Sequence, residues 1–168
     1  NLPPARRSMG DYAAYLGFHF RVNILTLLVP FTVIMLVHDV ALLVMGVTPD
    51  DTAFYAVMWV TILGLYVASP LILRLTWKTR RLKRVNGAMG DRLAAVGRRC
   101  GVRISEVFRW NTSGLTANAC ISGFGLPWRY VFMSDLLLDQ MLPPQLEAVF
   151  GHEAGHARFH HLPVFLLA

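Results

Sequence analysis

Two histidines and a glutamate near the end of the chain have the types and spacing of a metal-dependent hydrolase. They form the pentapeptide His152-Glu153-Ala154-Gly155-His156. Residues four apart on a helix share a face, so both imidazoles can reach one metal ion while the glutamate holds a water molecule beside it. Zinc accepts imidazole nitrogen and, with an open position, activates water. The spacing predicts one zinc ion per chain, bound by His152 and His156, with Glu153 as the general base of peptide-bond hydrolysis.

Coincidence explains this motif poorly. The chain has 6 His among its 168 residues, and glutamate is scarcer still, so about 0.004 occurrences of the pattern are expected by chance. The competing interpretation is an amphipathic helix whose histidines cap or pack without binding a metal.

A catalytic zinc site takes three protein ligands, and the sequence plainly supplies two. His160 shares a helical stripe with His152 and His156 but lies about 12 Å from His152 on a straight helix, too far to bind the same ion. Leu162 occupies the position at which a metzincin has its third histidine. Three acidic residues upstream are weaker candidates: Asp135, Asp139 and Glu147.

The two ends of the chain suggest where the third ligand lies. The sequence opens with Asn1 rather than Met, and it stops inside the apolar run 162–168, which we interpret as the start of a further helix. We therefore expect a fragment that is truncated at its C-terminus, with the third ligand beyond residue 168. Because two histidines leave a zinc ion undercoordinated, we expect weak metal binding and little or no activity from the fragment itself.

The composition indicates a membrane protein. Hydrophobic residues make up 55% of the chain and charged residues only 15%, against about 25% charged in typical globular chains. Lysine and arginine are absent from Val22 to Leu73, which excludes a disordered chain and a nucleic-acid-binding tail. Two apolar stretches, 24–47 and 53–75, are each long enough to cross a bilayer, so residues 23–76 are predicted to form a transmembrane hairpin.

Basic residues flank this hairpin and predict its orientation. Six follow the second span: Arg74, Lys78, Arg80, Arg81, Lys83 and Arg84. Because loops rich in Lys and Arg stay in the cytoplasm, residues 1–22 and the linker 77–90 are predicted to be cytoplasmic. The same charges suit anionic lipid headgroups, so the lipid bilayer is the expected partner and nucleic acid is not. Within the first span, His38-Asp39 is either a functional polar pair or a pair facing the bundle interior.

Residues 91–161 have the pattern of a small α+β module. A helix is predicted for 91–100, strands for 102–110, 117–122 and 129–133 in an antiparallel sheet, and a short helix from a Ser134 cap to Met141. The prolines at 143 and 144 predict the start of a longer helix that carries the pentapeptide to about His161. The two cysteines, at positions 100 and 120, lack metal-site spacing and are expected to be free thiols.

The segment Leu146-Glu147-Ala148-Val149-Phe150-Gly151 running into the pentapeptide, with Asn118-Ala119 on a strand before it, resembles the integral-membrane zinc metallopeptidases that include HtpX and the CAAX prenyl endopeptidases. The resemblance implies a zincin-like fold of the gluzincin type. It also implies that Asn118 and Ala119 belong to an edge strand that binds substrate by β-addition. The family's third ligand is a glutamate on a later helix, which is absent from these 168 residues.

Together these features predict a multi-pass zinc metalloendopeptidase of the cytoplasmic membrane, with its peptidase module on the cytoplasmic side. Its substrates are expected to be membrane proteins or short membrane-attached peptides rather than prenylated peptides. The alternatives are a non-catalytic metal-binding membrane protein, or pseudopeptidase, and a purely structural membrane anchor. The sequence carries no signal for the oligomeric state.

Overall fold

The computed structural model describes residues 9–44, 46, 48–123, 127 and 129–158. The fold is α+β, as predicted: two long apolar helices precede a four-stranded sheet with shorter helices packed on it. The helices are α1 (Met9–His19), a π-helical turn (Phe20–Leu25), α2 (Thr26–Leu43), α3 (Thr52–Thr76), α4 (Leu82–Val85), α5 (Gly87–Arg99), α6 (Asp135–Gln140) and α7 (Pro143–Arg158). The strands are β1 (Thr79–Arg81), β2 (Glu106–Trp110), β3 (Ala119–Ser122) and β4 (Tyr130–Ser134).

Among the described residues, two helices are long and apolar enough to cross a membrane. The first is continuous over 35 residues from Met9 to Leu43, and the second spans 25 residues from Thr52 to Thr76. At 1.5 Å per residue the first is about 52 Å long, well beyond a hydrocarbon core of about 30 Å. It begins earlier than the predicted start at Ile24, because residues 9–19 are rich in helix-compatible side chains and Asp11 in the first turn favours a helix N-terminus.

The turn between the two helices is closed by a carboxylate. Asp51 Oδ2 accepts hydrogen bonds from the backbone N–H of Thr48 at 2.7 Å and from its hydroxyl at 2.9 Å. These bonds lower the pKa of Asp51, the backbone bond contributing most.

The sheet has the strand order β1-β2-β4-β3 and is mixed rather than antiparallel. β1 and β2 are antiparallel, as are β3 and β4, but β2 and β4 run parallel. The prediction of an antiparallel sheet was wrong because β4 folds back between β2 and β3 instead of adding to the outside. All five residues of β4 are buried, and a strand that is apolar on both faces is stable only in the middle of a sheet.

The first strand lies in the segment predicted to be a basic linker. β1 contains only Thr79, Arg80 and Arg81, which is too short and too charged to show the alternation of a half-buried strand. Short, charged strands are typical of sheet edges, where they discourage pairing with other chains. Helix α5 likewise begins before its predicted start, because the Asn86 side chain caps it by accepting from the backbone N–H of Met89 at 3.1 Å.

The two faces of the sheet bury different layers. On one face, aliphatic residues of the sheet pack against α5, α6 and α7; this cluster includes Leu93, Val107, Val131, Met133, Leu137, Leu146 and Phe150. On the other face, Phe108, Trp110, Tyr130 and Phe132 form an aromatic cluster that also contacts Phe18, Val22, Leu73 and Trp77 of the long helices and their ends. The sheet is therefore the layer between the helical hairpin and helices α5, α6 and α7.

Trp77 joins the hairpin to the sheet. Its ring stacks on Trp110 with centroids 4.0 Å apart, and its indole N–H donates to Thr26 Oγ1 at 3.1 Å. The Thr26 hydroxyl is also 3.2 Å from the hydroxyl of Thr76. Because an aromatic stack and a satisfied indole donor each favour one geometry, this residue fixes how the two long helices meet the sheet.

Ser134 and Pro143 begin α6 and α7, as predicted. The Ser134 hydroxyl accepts from the backbone N–H of Leu137 at 3.3 Å, and α7 starts at Pro143. The predicted end of α7 near His161 and the predicted helix at 162–168 lie outside the described residues. Cys100 and Cys120 are free thiols, as predicted.

Asp135, at the start of α6, is a buried carboxylate that organises the turn after β2. It accepts hydrogen bonds from the backbone N–H groups of Thr112, Gly114 and Leu136 and from the Thr112 hydroxyl. Burial raises the pKa of Asp135, but the hydrogen bonds, those from Thr112 first, together lower it below the ordinary value. Asp135 thus stabilises the fold at neutral pH, and this contribution is lost as the pH falls through the lowered pKa.

Replacing Thr112 with Val tests this network. The variant keeps the shape of the side chain but removes one donor to a buried carboxylate, so we expect the free energy of unfolding to fall by about 1–3 kcal/mol at pH 7. The measurement is thermal unfolding in detergent followed by circular dichroism. The control is Thr32→Val, because the exposed Thr32 hydroxyl bonds only to the carbonyl of Leu28 in its own helix. A Thr112→Val loss that did not shrink below about pH 4 would contradict the role of the ionised carboxylate.

Candidate active site

Helix α7 positions the pentapeptide through its buried stripe. Leu146, Phe150 and Ala154 are the buried residues of this helix, and their spacing of four places them on one face. Because that face is fixed against the sheet, His152 and His156 are held on a different side of the helix, where both are exposed. Glu153 is half-buried between them.

The two imidazole rings lie next to each other, edge to face. His156 Nε2 lies 3.1 Å from His152 Nε2, and the ring planes are 86° apart. In a tetrahedral zinc site with Zn–N bonds of about 2.0–2.1 Å, two ligand nitrogens are separated by about 3.3 Å. The observed separation therefore fits a pair of zinc ligands, with no change of backbone. A metal ion bound to both nitrogens would displace the proton that they share in a hydrogen bond.

A third metal-ligating side chain does not join this pair within the described part of the chain. The three acidic candidates from the sequence each have another partner. Asp135 binds Thr112, as described above. Asp139 accepts two hydrogen bonds from Arg109, at 2.9 and 2.7 Å. Glu147 accepts from Arg92 Nε at 2.8 Å, and His160 lies outside the described residues.

Strand β3, which begins at Ala119, is an edge strand of the sheet. The residue before it, Asn118, pairs with Ser134: Asn118 N–H donates to Ser134 Oγ and Ser134 N–H donates to Asn118 O, both at 2.9 Å. Antiparallel partners alternate between hydrogen-bonded and non-hydrogen-bonded pairs, so the backbone groups of Ala119 point away from β4, towards the edge of the sheet where no other described strand pairs. The Ala119 N–H there donates to its neighbour's side chain, Asn118 Oδ1, at 2.8 Å.

The edge strand lies beside the pentapeptide. Helix α7 packs against β3, and the negative charge of Glu153 reaches the thiol of Cys120. Burial is the larger cause and the Glu153 carboxylate the smaller one in raising the pKa of Cys120 to about 12. Cys120 is therefore a neutral thiol, on the face of β3 that packs against the aromatic cluster. Sequence reasoning missed its electrostatic coupling to Glu153, because that coupling arises only when the sheet and α7 pack together.

The second long helix also reaches the edge strand. A cavity of about 240 Å³ is lined by Tyr66, Ser69 and Leu73 of α3 and by Cys120, Ile121 and Ser122 of β3. Tyr66 and Ser69 are polar residues three apart in an apolar span, so they share one helix face. This spacing was the signal in the sequence that a polar face of α3 turns towards the module.

Both the sequence and the fold of the chain match known proteins. Residues 81–167, just over half of the chain, match the profile of Peptidase family M48. The crystal structure of Ste24p from S. mikatae matches with a TM-score of 0.55 and 17% sequence identity, over 94% of this chain and 36% of that one. The chain thus spans about a third of the length of Ste24p, and the likeness extends to the helical hairpin as well as the sheet. A search of curated protein sequences finds no match.

The histidine pair predicts a specific loss of metal binding. We expect His152→Ala and His156→Ala each to weaken zinc binding by roughly tenfold or more, because either change removes one of the two converging ligands. Zinc affinity can be measured by competition with a chromophoric chelator and checked by elemental analysis. His38→Ala, which removes a histidine from the distant hairpin, is the matched control. Equal affinities in all four proteins would refute the assignment of the two ligands.

Proposed function

The chain belongs to peptidase family M48, and on that premise we propose that it is a membrane-bound zinc metalloendopeptidase. The observation that carries the proposal is the pair of imidazole nitrogens 3.1 Å apart on a helix that packs beside an open edge strand. His152 and His156 hold the metal, and the third ligand comes from outside the described residues.

Zinc bound there would supply a Lewis acid that polarises the scissile carbonyl and acidifies water. The proton transfers of the reaction are carried out by a side chain of the protein. Glu153 accepts the proton of the attacking water and transfers it to the amine that leaves. Its half-buried position suits this role, because a carboxylate that is partly shielded from solvent holds a water molecule in one orientation.

Substrate binds as an added strand along the open edge of β3. The outward backbone groups of Ala119 and the next outward residue, Ile121, pair with an extended peptide, which brings its scissile bond alongside α7. The peptide carbonyl replaces Asn118 Oδ1 as the acceptor for the Ala119 N–H. Side chains of the peptide that point towards α3 enter the cavity beside Leu73, so apolar residues with a small polar group suit that position.

The protein acts at the cytoplasmic face of the membrane. Basic residues follow α3 directly, as expected for the cytoplasmic end of a span. Because α3 lines one side of the substrate strand, peptides that enter from the membrane surface are favoured over soluble ones. Membrane proteins and short membrane-attached peptides are therefore the proposed substrates.

Glu153→Gln tests the mechanism in the intact protein. The amide cannot take a proton, so we expect proteolysis to fall by roughly 100-fold or more while bound zinc stays at one per chain. Cleavage of a quenched fluorescent peptide in nanodiscs gives the rate, and elemental analysis gives the metal. Glu147→Gln, on the same helix but bonded to Arg92, should retain the rate within about twofold. Undiminished proteolysis in Glu153→Gln would overturn the mechanism. If the unmodified protein bound zinc but showed no proteolysis, the result would support the alternative of a pseudopeptidase.

Ala119→Pro tests substrate binding by strand addition. Proline removes the outward N–H at position 119 but no hydrogen bond between β3 and β4, and edge strands tolerate it when the missing donor faces outward. We expect kcat/KM to fall by roughly tenfold, mostly through KM, with little change in zinc content.

Ala119→Val is the control for this experiment, because it keeps the N–H and adds only a β-branched side chain. Its kcat/KM should stay within about threefold of the unmodified protein. If both variants lost the same activity, the side chain rather than the backbone donor would be responsible, and strand addition at Ala119 would be wrong.

A further inference from the structure

A basic pocket lies where α3 leaves the predicted membrane region. It has a volume of about 760 Å³ and is lined by Lys78, Thr79, Arg80, Val85, Arg109 and Asn111. None of these residues belongs to the candidate active site. Lys78 is two residues beyond the last residue of α3, Thr76, so the pocket begins directly at the end of the helix.

The strand register brings three cations to one face of the sheet. Arg80 lies directly opposite Arg109 in the antiparallel pair of β1 and β2. The carbonyl of Lys78 accepts from the backbone N–H of Asn111 at 2.8 Å, which continues the pairing by one step. Because side chains alternate along a strand, Lys78, Arg80 and Arg109 share a face, opposite to the face on which Trp110 joins the aromatic cluster.

The positive charge of this pocket is only partly compensated. Arg109 makes a bidentate pair with Asp139, but neither Lys78 nor Arg80 forms an ion pair within the described residues. Their neighbours differ: Arg81 pairs with Glu106 at 3.5 Å and Lys83 with Asp91 at 3.3 Å. Like charges opposite each other on paired strands destabilise a sheet, so the arrangement favours a bound anion.

The position of the pocket next to the end of the predicted membrane span indicates which kind of anion it binds. Trp77, the residue before Lys78, contacts both long helices and the sheet, and tryptophan side chains are typical of the membrane–water interface. Lys78 and Arg80 are two and four residues beyond Thr76, the end of the candidate span, and the headgroup region extends roughly 5–7 Å beyond the hydrocarbon core. A lipid phosphate is held at this level by the bilayer, whereas a soluble anion must bind from bulk solution.

We propose that the basic pocket, which begins two residues after α3, binds the phosphate of an anionic phospholipid at the membrane surface. Arg80 supplies a planar fork of donors, and Lys78 adds a compact positive charge. Arg109 is held in place by Asp139 as the third cation. Asn111 Oδ1 accepts from Ser113 N–H at 2.9 Å, so its amide N–H₂ is the group that can donate to the headgroup. The pocket has the volume of a typical small-molecule site.

The test is lipid binding to the intact protein in detergent, measured by native mass spectrometry during titration with phosphatidylglycerol, phosphatidylcholine or inorganic phosphate. We expect phosphatidylglycerol to bind at least tenfold more tightly than phosphatidylcholine. The double variant Lys78→Ala/Arg80→Ala should weaken phosphatidylglycerol binding by roughly 25-fold, because each basic group at an anionic surface contributes about fivefold. Lys78→Arg/Arg80→Lys, which keeps both charges, should bind within about threefold of the unmodified protein.

The matched control is Arg98→Ala/Arg103→Ala, which removes the same charge from two exposed residues outside the pocket. It should bind phosphatidylglycerol within twofold of the unmodified protein. An equal loss in both double variants would indicate general charge attraction and overturn the site. Inorganic phosphate bound as tightly as phosphatidylglycerol, and dependent on Lys78 and Arg80, would identify a soluble-anion site and overturn the lipid assignment.

A second measurement separates binding from folding. Without added lipid, Lys78→Ala/Arg80→Ala should unfold at the same temperature as the unmodified protein or at a higher one, because a like-charge repulsion has been removed. A lower unfolding temperature would contradict the repulsion from which the inference starts.

Discussion

Strand β4 is buried on both of its faces, and the arrangement of the other elements follows from that burial. Val131, Phe132 and Met133 are each 0% exposed. A strand with no polar face needs an apolar layer on each side, and the described residues supply two: helices α5, α6 and α7 on one side and the helical hairpin on the other. The sheet therefore cannot separate from the hairpin without exposing its aromatic face to water.

This burial links the candidate active site to the membrane. The Val131 and Met133 side chains pack with Phe150 of α7, which fixes the helix that carries the histidine pair. Phe132 packs with Trp77 at the end of α3, on the opposite face. One strand thus positions the pentapeptide on one side and the end of the membrane helix on the other. The distance between the histidine pair and the end of α3 is set by the thickness of a single sheet and not by a flexible linker.

The sequence predicted those features that depend on local spacing. Four such features appear in the structure: histidines four apart, a serine before a short helix, a proline at a helix start and two long apolar runs. Each of them favours its element through nearby residues alone, without any tertiary contact. The features it did not predict depend on tertiary packing. The strand at Thr79 exists because β2 offers it an edge. The parallel pairing of β4 follows from burial on both faces. The electrostatic effect of Glu153 on Cys120 follows from where α7 lies on the sheet.

The open edge of β3 raises a different physical question, because an unpaired strand edge is also a template for unwanted association. Here Asn118 Oδ1 accepts from the outward N–H of Ala119, so this edge donor is satisfied when no peptide is bound. An incoming peptide exchanges one hydrogen bond for another, so this donor contributes at most about 1.5 kcal/mol to binding. Backbone pairing at Ala119 sets the register of a bound peptide whatever its sequence. Discrimination between peptides must come from their side chains. The cavity next to this edge, which could accept such a side chain, is lined on one side by α3. In the proposed binding mode, a helix predicted to cross the membrane lines the path by which peptides would reach the histidine pair.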